Sequence, residues 1–346
     1  MAEPAAPGRC LVTGATGALG PSVARACLAE GWSVRALARS RPPDGLLAAG
    51  VELVQADLAD AGALASAMAG VETVFHLAAK LHIPNPSPEL RAEYERVNVD
   101  GTRAVVEAAR AAGARRLVFF STIAVYGPSR GDAMDETTTP APDTIYGETK
   151  LAAERIVLEP SGGAGFSPPV GPPGAEPSAT ILRLAAVYGP RVRGNYRRLL
   201  HALARGRFVP IGRGTNRRTL VHEEDAARAA VLAARHPDAP GGVFNVTDGG
   251  SPTLAEIIDA MCVALGRRPP QLRVPAGPAR AAAWTVERAA ALVGRRLPLG
   301  AAVDKYLEEV VVDGRRLVER LGFRPKYALE AGWRQTVDVM RREGEL

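Results

Sequence analysis

Apolar residues in the first third of the chain gather into short, largely β-branched runs: RCLVTG (9–14), SVRALAR (33–39), VELVQADL (51–58), VETVFHLAA (71–79) and RRLVFFST (115–122). Runs of this length predict strands, while the helical spacing of GPSVARACLAEG (20–31, closed by Gly31) and GTRAVVEAARAAG (101–113) predicts helices between them. Alternation of this kind builds βαβ units, so the expected fold class is α/β, a doubly wound parallel sheet of Rossmann type with helices on both faces. Residues 160–178, PSGGAGFSPPVGPPGAEPS, are too rich in glycine and proline to pack and read as a flexible surface insertion. ATILRLAAVYG (179–189) then resumes the sheet as a single strand. Helices are expected in NYRRLLHALARG (195–206), LAEIIDAMCVALG (254–266) and RAAAWTVERAAALVG (280–294), with a last strand in GVFNVTD (242–248). The expected organisation is a first domain over 1–184, to which 219–248 returns. A smaller helix-rich lobe, mainly 185–346, would lie over the sheet's carboxyl edge, where open α/β sheets bind ligands.

Composition narrows the class. A chain of 346 residues with 47% hydrophobic and 23% charged positions can bury a large core. No uncharged apolar stretch reaches the ~18 residues of a transmembrane helix, and MAEPAAPGRCLVTG lacks the basic and apolar regions of a signal peptide. Cys10, Cys27 and Cys262 are too few and too far apart for a disulfide framework or metal cluster, and the five histidines are scattered. These features point to a reducing cytoplasm, with no metal and no membrane partner. The net charge of +6 comes mainly from dispersed arginine, with clusters at Arg191, Arg193, Arg197 and Arg198 and at Arg213, Arg217 and Arg218. With only 5% aromatics and no nucleic-acid module, small anionic ligands are the expected partners rather than nucleic acid.

Two patterns carry chemistry. LVTGATGALG puts Gly14, Thr16, Gly17 and Gly20 at the first strand-to-helix turn, a variant of the dinucleotide fingerprint in which glycine lets a pyrophosphate approach backbone and helix N-terminus. The acid that would bond a ribose 2′-hydroxyl is replaced by Ala38, followed by Arg39, Ser40 and Arg41. Basic residues there suit a 2′-phosphate, which favours NADP over NAD; the alternative is a solvated arginine run. The second pattern is Tyr146 and Lys150 in IYGETK. With seven tyrosines and four lysines, chance placement gives roughly 0.08 such pairs. On a helix, residues four apart share a face, so the ammonium would favour the ionised phenol and make it an acid/base near neutrality. The plain alternative is a surface pair.

Together these residues resemble the extended short-chain dehydrogenase/reductase superfamily, the NAD-dependent epimerase/dehydratase group of nucleotide-sugar epimerases, dehydratases and ketoreductases. The resemblance runs from TGATGALG to LGFRPKYALEAGW. It implies that Asp57, beside Leu58 in ADL, contacts adenine; that Ala78 and Ala79 in VFHLAA line the cofactor; and that Asn98 in VNVDGT is structural. STIAVYG matches the strand whose second hydroxyl is catalytic, here Thr122, with Ser121 the lesser candidate. Tyr146 would exchange a proton with substrate while a hydride moves at the nicotinamide, and Lys150 would hold the nicotinamide ribose and lower the tyrosine pKa. His76 is expected to be structural. The family commonly dimerises through a bundle containing the Tyr146 helix, so a homodimer is expected.

For substrate, RLAAVYGPRVRGNYRRLL and GTNRRTLVHEEDAARA resemble the binding stretch of nucleotide-sugar enzymes, implying that Arg218 meets the diphosphate and Asn195 the sugar nucleotide. The alternative for Arg218 is a surface ion pair with Glu223 or Asp225. His82 is a substrate candidate in the loop after VFHLAA. Two departures count. Ala186 stands where many UDP-hexose enzymes have asparagine, and Ile123 and Ala124 replace the Asp-Glu of 4,6-dehydratases, so water elimination is not expected. The leading expectation is an NAD(P)-dependent epimerase or ketoreductase acting at C4 of a nucleotide-activated sugar. The alternatives are a 3β-hydroxysteroid or dihydroflavonol-type dehydrogenase and a non-catalytic dinucleotide-binding sensor.

Overall fold

The computed structural model describes residues 8–81, 88–129, 131–159, 178–292 and 299–346. His82 and the glycine- and proline-rich stretch 160–177 lie outside the described residues. The first half alternates as the apolar runs require: β1 (Arg9–Thr13), α1 (Gly20–Ala29), β2 (Ser33–Ala38), β3 (Glu52–Gln55), α2 (Ala61–Met68) and β4 (Val71–His76). Next come α3 (Arg91–Tyr94), a π-helical turn (Glu95–Asp100), α4 (Gly101–Ala111), β5 (Arg116–Thr122) and α5 (Ile145–Leu158). A parallel sheet forms in the order β3-β2-β1-β4-β5, extended by β6 (Ser178–Leu184). The strand order reverses direction at β1, so a crevice opens between the carboxyl ends of β1 and β4, the switch point at which doubly wound sheets take ligands.

The run ATILRLAAVYG is two strands rather than one. β6 ends at Leu184, and after Ala185 the chain continues as β7 (Ala186–Tyr188), which pairs in parallel with β8 (Leu220–His222) in a separate small sheet. Both halves are apolar because both are buried; what changes at Ala185 is the hydrogen-bond partner. The Ala185 N–H donates to Val246 and that of Ala186 to Thr219. Helix α6 (Asn195–Ala204) lies between β7 and β8, and α7 (Glu223–Arg235) and β9 (Val243–Val246) follow. β9 closes the large sheet beside β6, and α7 packs on α1. The remaining helices are α8 (Leu254–Leu265), α9 (Ala276–Leu292), α10 (Leu299–Leu307), α11 (Arg315–Leu321) and α12 (Leu329–Arg342). α9 begins four residues before the expected RAAAW start, because Pro278 falls in its first turn, where the missing N–H costs no helical bond.

Apolar burial divides into three clusters. One lies between the sheet and α1, α7 and α11, and a second between the sheet and α2, α4 and α5. The third binds α6, α8 and α12 around Tyr188 and Trp333, whose rings stack at 4.4 Å. The first two hold the crevice rigid, and the third builds the lobe that carries Asn195.

Candidate active site

The glycine loop is shaped by contact with β4. Gly14 has φ 67°, and a Cβ there would lie 2.7 Å from the backbone nitrogen of Ala78, so only glycine fits against this strand end. Gly17 donates to the Gly14 carbonyl (2.9 Å), Thr16 and Gly17 are exposed at the rim, and Gly20 opens α1. No side chain caps the α1 N-terminus and no acid sits in its first turn, leaving N–H groups and the positive dipole end free for an anion. Residues Gly14, Thr16, Gly17, Ala78 and Ala79 therefore fit a dinucleotide pyrophosphate. At the end of β2 Ala38 is buried, and Arg39 and Arg41 are exposed. Asp57 is exposed and accepts from the Ala59 N–H (3.0 Å), while Leu58 packs near Gly101.

Asn98 sits in the π-helical turn and is buried. Its Oδ1 accepts from the Lys80 N–H (2.7 Å), and its Nδ2 donates to the Lys80 carbonyl (3.2 Å) and Thr149 Oγ1 (3.0 Å). The amide ties the chain after Ala79 to α5, so the structure gives Asn98 to positioning rather than to contact with the crevice. His76 is spent similarly, between Thr13 Oγ1 (2.7 Å) and Thr102 Oγ1 (3.0 Å). Burial and the nearby Lys150 push its imidazole down to about 3, so it stays neutral.

Helix α5 starts at a Thr144 cap that accepts from the Gly147 N–H (3.1 Å). A Cβ on Gly147 would come within 2.7 Å of the Ala124 carbonyl, so this glycine lets the helix press against the turn after β5. That approach brings Tyr146 beside Thr122, whose hydroxyl acts to lower the pKa of the phenol. Thr122 Oγ1 also accepts from the Ala124 N–H (3.2 Å), so it is both a local cap and a partner of the phenol. Ser121 is committed elsewhere, donating to Glu154 (2.5 Å). Glu154 is buried and holds Arg183 in a two-point pair (3.0 and 2.7 Å). One turn before Glu154, Lys150 is 2% exposed and places Nζ 3.9 Å from the centroid of Phe119.

Burial acts on both members of the Tyr146–Lys150 pair. Tyr146 is half-buried, and desolvation pushes its phenol up to about 12 against the opposing hydrogen bond from Thr122. Lys150 is itself pushed down to about 7 by burial, partly offset by Glu154. Enclosure outweighs mutual charge because both groups lie in low-dielectric surroundings that disfavour either ion.

In the second lobe Asn195 is exposed at the start of α6, on the rim of a hollow lined also by Tyr188, Tyr196 and Trp333. Arg218 donates to the carbonyls of Lys305 (2.7 Å) and Tyr306 (3.2 Å) and lies 3.9 Å from Glu308. Its charge also reaches Tyr196, next to Asn195. Neither carboxylate proposed from sequence takes Arg218. Glu223 accepts from Ser22 Oγ and the Arg191 N–H, and Asp225 pairs with Arg228.

The sequence model of the NAD dependent epimerase/dehydratase family matches residues 10–247, which include the glycine loop, β5 and α5. The chain belongs to this family. Among relatives, it is 30% identical over 285 residues to the 3 beta-hydroxysteroid dehydrogenase/Delta 5-->4-isomerase of Mycobacterium tuberculosis, covering 79% of this chain and 73% of that one. It is 27% identical to the UDP-glucose 4-epimerase of Vibrio cholerae, over 96% of this chain and 95% of the other. Among solved structures, MoeE5 in complex with UDP-glucuronic acid and NAD is 29% identical with a TM-score of 0.75, over 97% of this chain and 99% of that one.

For this member of the epimerase/dehydratase family, sequence reasoning did not single out Phe119, Thr149 or Glu154. Glu154 had a readable signal: it stands four residues after Lys150, which itself stands four after Tyr146, all on one helix face. Phe119 and Thr149 had none, because their roles arise from contacts between separate elements.

Proposed function

We propose that the protein is an NAD(P)-dependent oxidoreductase or epimerase that works at C4 of a nucleotide-activated sugar, with Tyr146 as its acid/base. The observation that carries this reading is the meeting of Tyr146 with Thr122 at the end of β5, with Lys150 one turn along α5. A bound nicotinamide supplies or accepts the hydride. In the reducing direction Tyr146 Oη gives its proton to the carbonyl oxygen, while Thr122 Oγ1 hydrogen-bonds that oxygen and orients it. In the oxidising direction the same oxygen, as the phenolate, takes the hydroxyl proton. Gly14, Thr16, Gly17 and Gly20 would seat the pyrophosphate, Asp57 and Leu58 the adenine end, and Ala78, Ala79 and Lys150 the nicotinamide end. Asn98 would hold the Ala79–Lys80 backbone in register with α5. Exposed Arg39, with no acid at Ala38, favours NADP. Asn195 and Arg218 belong to the substrate lobe, which we take as 185–346 apart from the returning stretch 219–248. The UDP-sugar names of relatives matched along nearly their whole length support the substrate class.

A second reading, oxidation or reduction of an apolar secondary alcohol of the hydroxysteroid type, is favoured by one observation. Arg218 already donates to two main-chain carbonyls at the end of α10, which competes with holding a diphosphate. Purified protein assayed with UDP-hexoses and with a 3β-hydroxysteroid, each with NAD and NADP, separates the two. Turnover of UDP-hexoses is expected, and turnover of the steroid alone would replace the sugar reading. With whichever substrate turns over, Tyr146→Phe is expected to lower kcat on the order of 10²–10⁴-fold at unchanged cofactor affinity and melting temperature. A variant within a few fold of the parent would sink the assignment.

A further inference from the structure

We infer that the stretch 266–275 and the α9–α10 hairpin form a docking surface for an anionic lipid membrane, seated at the interface rather than crossing it. Residues 266–292 carry five arginines (Arg267, Arg268, Arg273, Arg280 and Arg288) against one acid, Glu287, a net +4 in a chain whose total is +6. The same stretch displays Leu272, 78% exposed, and Trp284, 59% exposed, with Val274 and Val286 also exposed, and Leu299 at the start of α10 is exposed too. Helix α9 has 17 residues, yet only Ala283 and Ala290 among its described side chains are buried; α10 buries none. Most helices are held by burying an apolar face, and this one leaves its largest apolar side chain in water.

Charge and chemistry select the occupant. Trp284 and Arg288, four residues apart, share a face of α9, and the guanidinium carbon lies 5.1 Å from the indole centroid. An indole at headgroup depth beside an arginine reaching for lipid phosphate is the usual interfacial pairing. The hairpin's acids are engaged within its own chain: Glu287 accepts from the Gly300 N–H (2.8 Å), and Asp304 forms an exposed pair with Arg280 (2.8 Å). Its base is anchored by Asn216, which donates to the carbonyls of Tyr306 and Glu308 (3.0 Å each), leaving the Trp284 face outward. A second copy would bring two +4 surfaces together. Nucleic acid would meet one aromatic ring and several aliphatic side chains instead of a stacking platform. The expectation of no membrane partner rested on the lack of a spanning stretch. No helix among the described residues is long and apolar enough to cross a bilayer, and interfacial seating requires none.

The test uses the full chain with phosphatidylcholine vesicles, with and without about 30 mol% phosphatidylglycerol, at low salt and at about 0.5 M NaCl. The chain has three tryptophans; Trp32 and Trp333 are buried, so a change in exposed-tryptophan emission reports Trp284. The expected result is co-sedimentation with a blue shift on the anionic vesicles only, suppressed by salt. Trp284→Ser combined with Arg288→Gln is expected to weaken binding about tenfold or more at unchanged melting temperature and cofactor affinity. The inference is overturned by no binding, equal binding to both vesicle types, a double variant that binds like the parent, or single-stranded RNA bound more tightly than the anionic vesicles. Concentration-dependent shielding of Trp284 without vesicles would also overturn it, in favour of self-association.

Discussion

Lys150 lies under the Phe119 ring with its ammonium pushed down to about 7, while Tyr146 beside it is pushed up to about 12. Both shifts follow from burial, which favours the neutral form of an acid and a base alike. Glu223 shows the same effect outside the crevice. It is 1% exposed, accepts from Ser22 Oγ (3.2 Å) and the Arg191 N–H (3.1 Å), and is nevertheless pushed up from 4.5 to about 7 by desolvation. Between those values the folded chain keeps a proton that the unfolded chain releases, so this residue's stabilising contribution is present below 4.5 and lost as pH rises towards 7. Glu223→Gln removes the titration. The melting temperature of the parent minus that of the variant should therefore fall steadily across this window in differential scanning fluorimetry. Comparing the pair matters because His76, with its pKa lowered to about 3, acts with the opposite sign in both proteins alike. A difference that stays flat with pH would refute the shift.

Elements meet at the crevice through backbone contacts that tolerate no extra atom. Gly14→Ala forces a side chain against the Ala78 backbone and into a positive-φ conformation. It should cost about 1–3 kcal/mol and abolish NAD(P)H binding measured by fluorescence titration. Gly249→Ala is the control: it has φ 83° with open space around the new Cβ, so it carries the conformational cost alone and should leave cofactor binding intact. Equal effects of the two substitutions would remove the loop from the cofactor's path. At this scale the sequence was readable wherever the signal was local: the glycine spacing, the Tyr146–Lys150 turn and the strand-end Thr122. Contacts between elements left no such mark. Nothing in VNVDGT says that Asn98 will bond Lys80 and Thr149, and the apolar run through Ala185 looks continuous although its two halves belong to different sheets.

For the whole molecule, stability is distributed unevenly. The large sheet is packed on both faces, with the side chains of β1, β4 and β5 almost entirely buried, whereas the α9–α10 hairpin rests on few buried groups. Hydrogen exchange followed by mass spectrometry should show peptides from 276–307 exchanging orders of magnitude faster than peptides spanning β1, β4 or β5. Equal protection would mean that the hairpin is covered by something other than this chain's own core. The residues proposed above for the cofactor thus lie along the rigid sheet, and Asn195 and Arg218, proposed for the substrate, lie outside it.

The sequence by itself determined the α/β alternation, the glycine loop at the first strand-to-helix turn and the helical spacing of Tyr146 and Lys150. Periodicity, turn chemistry and helical spacing are properties of neighbouring residues. Only the tertiary structure decided the enclosure of Tyr146 and Lys150, the occupation of Arg218 by the end of α10 and the exposure of Trp284. Each depends on what distant segments enclose or leave bare. Desolvation and hydrogen-bond partnership are set by that enclosure, not by residue type.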